Sequence, residues 1–225
     1  MTSDDTGETG PSAQRIRRRL LGLVTATVVL TFGGILLATA LSPSFEWQTH
    51  ALSNLGVTST EVGTTTTVLL FNGSLVLGGA VGLLFCTLLA RGIRHRGQQA
   101  TVAVAGLALL LMALIGIFHQ ETSLHWPIAI GFFLLISVSL WVDGAVRLST
   151  GERTAGVLTL LGGTANLLLW VGWFNLRAEP TDGIAIPELA GAFIFGVWLY
   201  LFGRRMIDLS ASSLRRSGGG DPAEF

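Results

Sequence analysis

Leu20 to Leu41 is a run of 22 residues without one charged side chain. As an α-helix it spans roughly 33 Å, enough to cross the hydrocarbon core of a bilayer. Five more apolar runs follow, at about 66–90, 100–118, 126–146, 154–174 and 184–203. Backbone exposed to lipid must satisfy its own hydrogen bonds, so each run reads as helix. A soluble domain of this length carries about a quarter charged residues. Here 12% are charged and 50% are hydrophobic. The expected fold class is all-α: a polytopic membrane protein, with residues 20–205 forming a six-transmembrane-helix bundle. The flanking segments 1–19 and 206–225 are expected to be cytoplasmic tails, the first disordered and holding an Arg cluster. Residues 1–14 and 211–225, rich in Gly, Ser, Thr and acids, read as disordered.

Charge sets the orientation. All 14 basic residues are arginine, and thirteen of them fall on one side of the six spans. These are Arg15, Arg17, Arg18 and Arg19; Arg91, Arg94 and Arg96; Arg147 and Arg153; and Arg204, Arg205, Arg215 and Arg216. Only Arg177 falls on the other side. The positive-inside rule then puts the protein in the cell membrane with both termini cytoplasmic. The basic start, the first apolar run and Ala38-Thr39-Ala40 imitate a cleavable signal. The run is too long for an h-region of about 7–15 residues, so an uncleaved first helix is expected. The arginine-only basic composition points to a prokaryotic source. The arginines sit at helix ends and form no broad patch, so no nucleic-acid partner is expected. The single cysteine, Cys86, excludes a disulfide framework and a Cys-based zinc site. Gly78-x-x-x-Gly82 reads as a small-residue stripe for close helix packing. An aromatic belt accounts for the six tryptophans. Asn72 and Asn166 are expected to bond between helices, and Asp143 to pair with Arg147 at i,i+4.

The unusual chemistry collects at the extracytoplasmic end. In residues 42–56, Ser42 suits an N-cap, Pro43 the first helical position and Gly56 the residue after the helix. This predicts a short amphipathic helix between the first two spans. Glu46, Thr49, His50, Ser53 and Asn54 share its polar face. That face is either turned to water or folded inward over the bundle mouth. His119 and His125 bracket the tight connection between spans three and four, with Glu121 between them. A spacing of five residues is not a standard zinc pattern, and either histidine alone also suits a membrane boundary. Glu188 follows Pro187 inside the last apolar run. An ionisable group at that depth is a functional-site candidate by default, although an acid in a helix's first turn is also ordinary dipole chemistry.

Three segments together resemble an uncharacterised prokaryotic membrane family catalogued as domain of unknown function 998. They are Trp47 with His50-Ala51-Leu52-Ser53-Asn54-Leu55-Gly56, then Gly116-Ile117-Phe118 with His125, then Pro187-Glu188. The resemblance covers about residues 20–205. It implies six helices and a shared outer site, and supplies no activity. Asn54 stands where the family pattern has aspartate, which weakens any mechanism needing a carboxylate there.

Three functions compete. In the first, His50, Ser53, Asn54, Glu121 and Glu188 form an outer polar pocket for a lipid headgroup, ion or small solute, with membrane lipid as the partner. In the second, the chain is a metal-dependent intramembrane hydrolase acting on lipid. His50, His119 and His125 would then hold zinc, with Glu188 or Glu121 activating the bound water, and Glu188, His125 and His119 are the catalytic candidates. In the third, the outer face docks a partner subunit. Oligomeric state is not legible.

Overall fold

A computed structural model describes residues 11–176 and 183–218. Among them are six long helices and no strand: α1 Pro11–Ala40, α2 Thr65–Ala90, α3 Arg96–Ile117, α4 His125–Ser149, α5 Arg153–Leu176 and α6 Ala185–Gly218. All six are long and apolar enough to cross a membrane. The apolar runs of the sequence therefore account for the fold class. The end carrying the α1–α2, α3–α4 and α5–α6 connections is called the upper end below.

Both terminal helices run further than expected. α1 starts at Pro11 and α6 continues to Gly218, so residues 11–14 and 211–218 are helical where disorder is predicted. An established helix adds residues at little cost, and Ala, Gln, Arg and Leu propagate it well. Residues 1–10 and 219–225 and the predicted outer arginine, Arg177, lie outside the described residues.

Helices consecutive in the chain pack side by side from α1 to α5, and α6 returns against α1. The glycine stripe of α2 permits close approach on both of its sides. A Cβ at Gly78 would lie 2.1 Å from Thr31 Oγ1 of α1, and one at Gly79 would lie 2.7 Å from the Leu109 carbonyl of α3. Small residues let helices meet where apolar burial gives no drive toward association. Helix ends follow local chemistry. Thr64 and Thr67 cap α2 reciprocally, each backbone N–H donating to the other's hydroxyl at 2.8 and 3.2 Å. Gly151, at φ +90°, makes the turn from α4 to α5.

α5 is the outlying helix. Only 11% of its apolar window is buried in the protein, against 33–44% for the other five. It is clamped to α4 by polar contacts. Asn166 Nδ2 donates to the Phe133 carbonyl and Ser137 Oγ, and the Ser137 hydroxyl donates to the Gly163 carbonyl. Its contact with α6 is slight by comparison, which leaves space between α4, α5 and α6.

At the lower end a buried ionic network ties α4 to α6. Asp143 is fully buried and accepts from Arg147 Nε at 2.8 Å and from the Trp198 indole N–H at 3.0 Å. Arg205 approaches its other oxygen to 3.8 Å. Glu152 extends the network, accepting from Arg147 Nη1 at 3.2 Å and Arg205 Nε at 3.1 Å, with a further bond from Arg205 Nη2. The i,i+4 pair legible in the sequence is thus one edge of a five-residue network. Trp198 is no belt residue: it is buried, stacked between Phe195 and Phe202, and donates to Asp143.

Candidate cavity at the upper end

The connection between α1 and α2 is folded down onto the bundle. Its helix is shorter and later than expected, a five-residue 3-10 turn at Leu52–Gly56, with turns over most of 41–49. Polar side chains explain the difference, because they take up backbone groups that a longer helix would need. Asn54 Oδ1 accepts the Ala51 N–H at 2.6 Å and His50 Nδ1 the Glu46 N–H, while the Ser42 and Thr60 hydroxyls tie the segment together through the Val62 and Asn54 carbonyls.

The 3-10 turn is also held from below. Asn54 Nδ2 donates to Gln120 Oε1 in the α3–α4 connection, and Asn72 Nδ2 of α2 donates to the Gly56 carbonyl at 2.8 Å. Asn72 therefore anchors this turn and is not a helix-to-helix bond, whereas Asn166 does join two helices. The Ala185 N–H donates to the His50 carbonyl, and Glu188 Oε2 accepts the Leu52 N–H at 2.5 Å. Leu52, Leu55, Val57 and Val62 are buried beneath. The polar segment is inward-facing, but only in part.

His50 does not line the space between α4, α5 and α6, and its ring bonds stay within its own loop. Its Nδ1 accepts the Glu46 N–H at 3.0 Å, its Nε2 lies 3.1 Å from Glu61 Oε1, and its ring stacks on Phe45. A nitrogen that accepts from a backbone N–H leaves the other to donate, so both are committed within the loop. His119 is half exposed and lies 3.6 Å from Glu121, itself exposed. Among the described residues no group of three His, Cys, Asp or Glu side chains could hold a metal ion. The expected zinc set of His50, His119 and His125 does not come together, because loop partners hold the first and Glu121 sits beside the second. Glu121 likewise does not line the cavity.

Ser53, His125 and Glu188 do come together. With Asn166 they line a cavity of about 250 Å³ between α4, α5, α6 and the 3-10 turn. The rest of its wall is apolar: Trp126, Ala129, Ile130, Phe133 and Leu134 from α4, Leu167, Trp170 and Phe174 from α5, and Ile184. Ile130, Leu134 and Phe174 are exposed, so the rim is hydrophobic on the bundle's outer surface. His125 is buried, and its Nδ1 lies 2.9 Å from the Phe118 carbonyl. A carbonyl can only accept, so Nδ1 carries the proton and the neutral ring keeps its acceptor at Nε2. Two buried atoms on the wall, Asn166 Oδ1 and Trp170 Nε1, have no hydrogen-bond partner among the described residues.

Sequence reading missed Trp170 as a wall residue and Asn166 as a polar group of the cavity. The signal available was Asn166 in an apolar run one turn before Trp170, but only the looseness of α5 against α6 shows that they border a space.

Six membrane-crossing helices with a mainly apolar cavity at one end define a multi-pass membrane protein of the helical-bundle class. Residues 25–205 match the family described as protein of unknown function (DUF998), and the chain belongs to that family. No curated protein and no solved structure matches it.

Proposed function

We propose that the protein binds the polar end of a membrane amphiphile in the upper cavity. The observation that carries this reading is one small space with two kinds of wall. Ser53, His125, Asn166 and Glu188 supply polar groups at its inner part, and exposed Ile130, Leu134 and Phe174 supply an apolar rim on the lipid-facing surface. At about 250 Å³ it is just below the roughly 300–1,000 Å³ of drug-sized sites. It suits a headgroup with the first part of a chain, the remainder lying along α4 and α5. Zinc-dependent hydrolysis has no three-ligand set to support it among the described residues.

Mass spectrometry of the protein released from its own membrane tests the reading. Wild type should retain a bound amphiphile, and Leu167→Trp, which fills the cavity, should lose at least about nine-tenths of it, since overfilling a closed space displaces its content. Equal retention by both proteins would contradict the assignment of the site.

The cavity is proposed to face the outside of the cell membrane, with both termini cytoplasmic, on the arginine distribution. With Cys86 replaced by alanine, Ser123→Cys should react with an impermeant maleimide in intact cells, and His95→Cys only after permeabilisation. Both positions are exposed, so access depends on side alone. The reverse pattern would invert the topology.

A further inference from the structure

The two ends of the bundle treat buried carboxylates differently. At the lower end Asp143 has Arg147, Arg205 and the Trp198 N–H, and Glu152 has both arginines. Glu188, 9% exposed, has one backbone N–H, that of Leu52, and no cationic partner among the described residues. A carboxylate removed from water is costly unless a cation or a full set of donors compensates it.

The other polar groups on the cavity wall compound the imbalance. His125 Nε2 is an acceptor in the tautomer that the Phe118 carbonyl selects, and Asn166 Oδ1 is an acceptor without a partner. The Trp170 indole N–H is a buried donor without a partner among the described residues. No arginine among the described residues lines the cavity. The wall is instead aromatic. Phe133 and Trp170 lie 4.7 Å apart, Trp170 and Phe174 5.7 Å, and such faces attract ammonium groups, most strongly where water is excluded.

Resting on the cavity reading above, we infer that the amphiphile is an amine: a primary or alkylated ammonium on an apolar chain. The ammonium sits against Glu188 and the aromatic wall, a primary amine also donating to His125 Nε2, and its chain leaves past Ile130 and Leu134. It supplies to Glu188 the positive charge that Asp143 and Glu152 receive from arginine.

The test uses the full chain in nanodiscs of an uncharged glycolipid, which carry no amine. Saturable binding of radiolabelled decylamine is measured, with protein-free nanodiscs subtracted. Unlabelled decyltrimethylammonium should compete, and decanol and decyl phosphate should compete at least about 30-fold less well, as expected when one partner of a buried charge pair is missing. Glu188→Gln, which retains an acceptor for the Leu52 N–H, should lose about 30-fold or more in affinity for decylamine. Trp170→Leu, which leaves Glu188 in place, should weaken both ammonium probes and change decanol little. Including phosphatidylethanolamine in the nanodisc distinguishes sources: competition identifies an amine lipid as the natural ligand, and its absence a free amine, either one supporting the ammonium assignment. Equal competition by all unlabelled probes, or preference for decyl phosphate, would overturn the ammonium assignment and leave the cavity reading standing. No saturable binding of any probe would overturn both.

Discussion

Asp143→Ala is expected to destabilise the bundle by about 3 kcal/mol, because it removes the buried acceptor of Arg147 Nε and leaves that guanidinium only the more exposed Glu152. Arg147 has only 10% of its side chain exposed and directs Nε at Asp143. The same substitution orphans the Trp198 indole N–H between two stacked rings and removes the nearest charge on that side of Arg205. Asp143→Asn should cost less, since its amide oxygen still accepts from Trp198. Replacing Asp143 and Arg147 together by leucine and methionine should recover much of the loss, because a buried pair seldom outweighs apolar packing of the same volume. Denaturation in mild detergent, followed by near-UV circular dichroism, orders these variants. A loss under about 1 kcal/mol for Asp143→Ala would mean that water reaches the network and that its burial is overstated.

Glu188→Gln is expected to weaken decylamine binding about 30-fold or more while leaving insertion and folding intact. Glutamine has nearly the same volume and can accept the Leu52 N–H, so the 3-10 turn keeps its tether. Were Glu188 only a helix-start acid, the loss would be confined to the dipole interaction of about 0.3–1 kcal/mol, and binding would persist. Glu188→Leu separates the structural contribution. It leaves the Leu52 N–H without a partner at about 1–3 kcal/mol and should lower stability where Gln does not. Parallel measurement of melting temperature and decylamine affinity distinguishes the roles. A Gln variant that binds like wild type, at matched stability, removes Glu188 from the site.

The number and place of the six spans were legible because a membrane-crossing helix needs only length and apolar composition, both local properties, whereas the extensions of α1 and α6 were not. The arrangement at the upper end was legible in part. Ser53, His125 and Glu188 stand out as polar groups beside apolar runs, and they do share a cavity. His50 stands out equally, yet it serves its own loop, where the Glu46 N–H and Glu61 carboxylate occupy its two ring nitrogens. Sequence spacing does not show which way a ring turns when the segment is short and its polar side chains bond to backbone. The Trp198–Asp143 bond spans 55 residues, and the pairing of Arg205 with Glu152 spans 53. Such pairs depend on how α6 packs beside α4, which no local pattern encodes. The cavity is less local still, since it arises where α5 packs closely on α4 and loosely on α6.

An ammonium-bearing amphiphile held against Glu188, in the space between α4, α5 and α6, can be located directly by crystallography. A second apolar groove runs between α1 and α6, lined by Phe32, Trp47, Phe193 and Tyr200, and offers a chain a place without polar groups suited to a cation. Crystals grown with a decylamine brominated at the chain terminus distinguish the two by the anomalous signal of bromine. A peak is expected beside α4 and α5 near the Ile130–Leu134 rim, with density for the amine next to Glu188 and His125. A peak confined to the α1–α6 groove, or an ammonium turned away from Glu188, would contradict this placement.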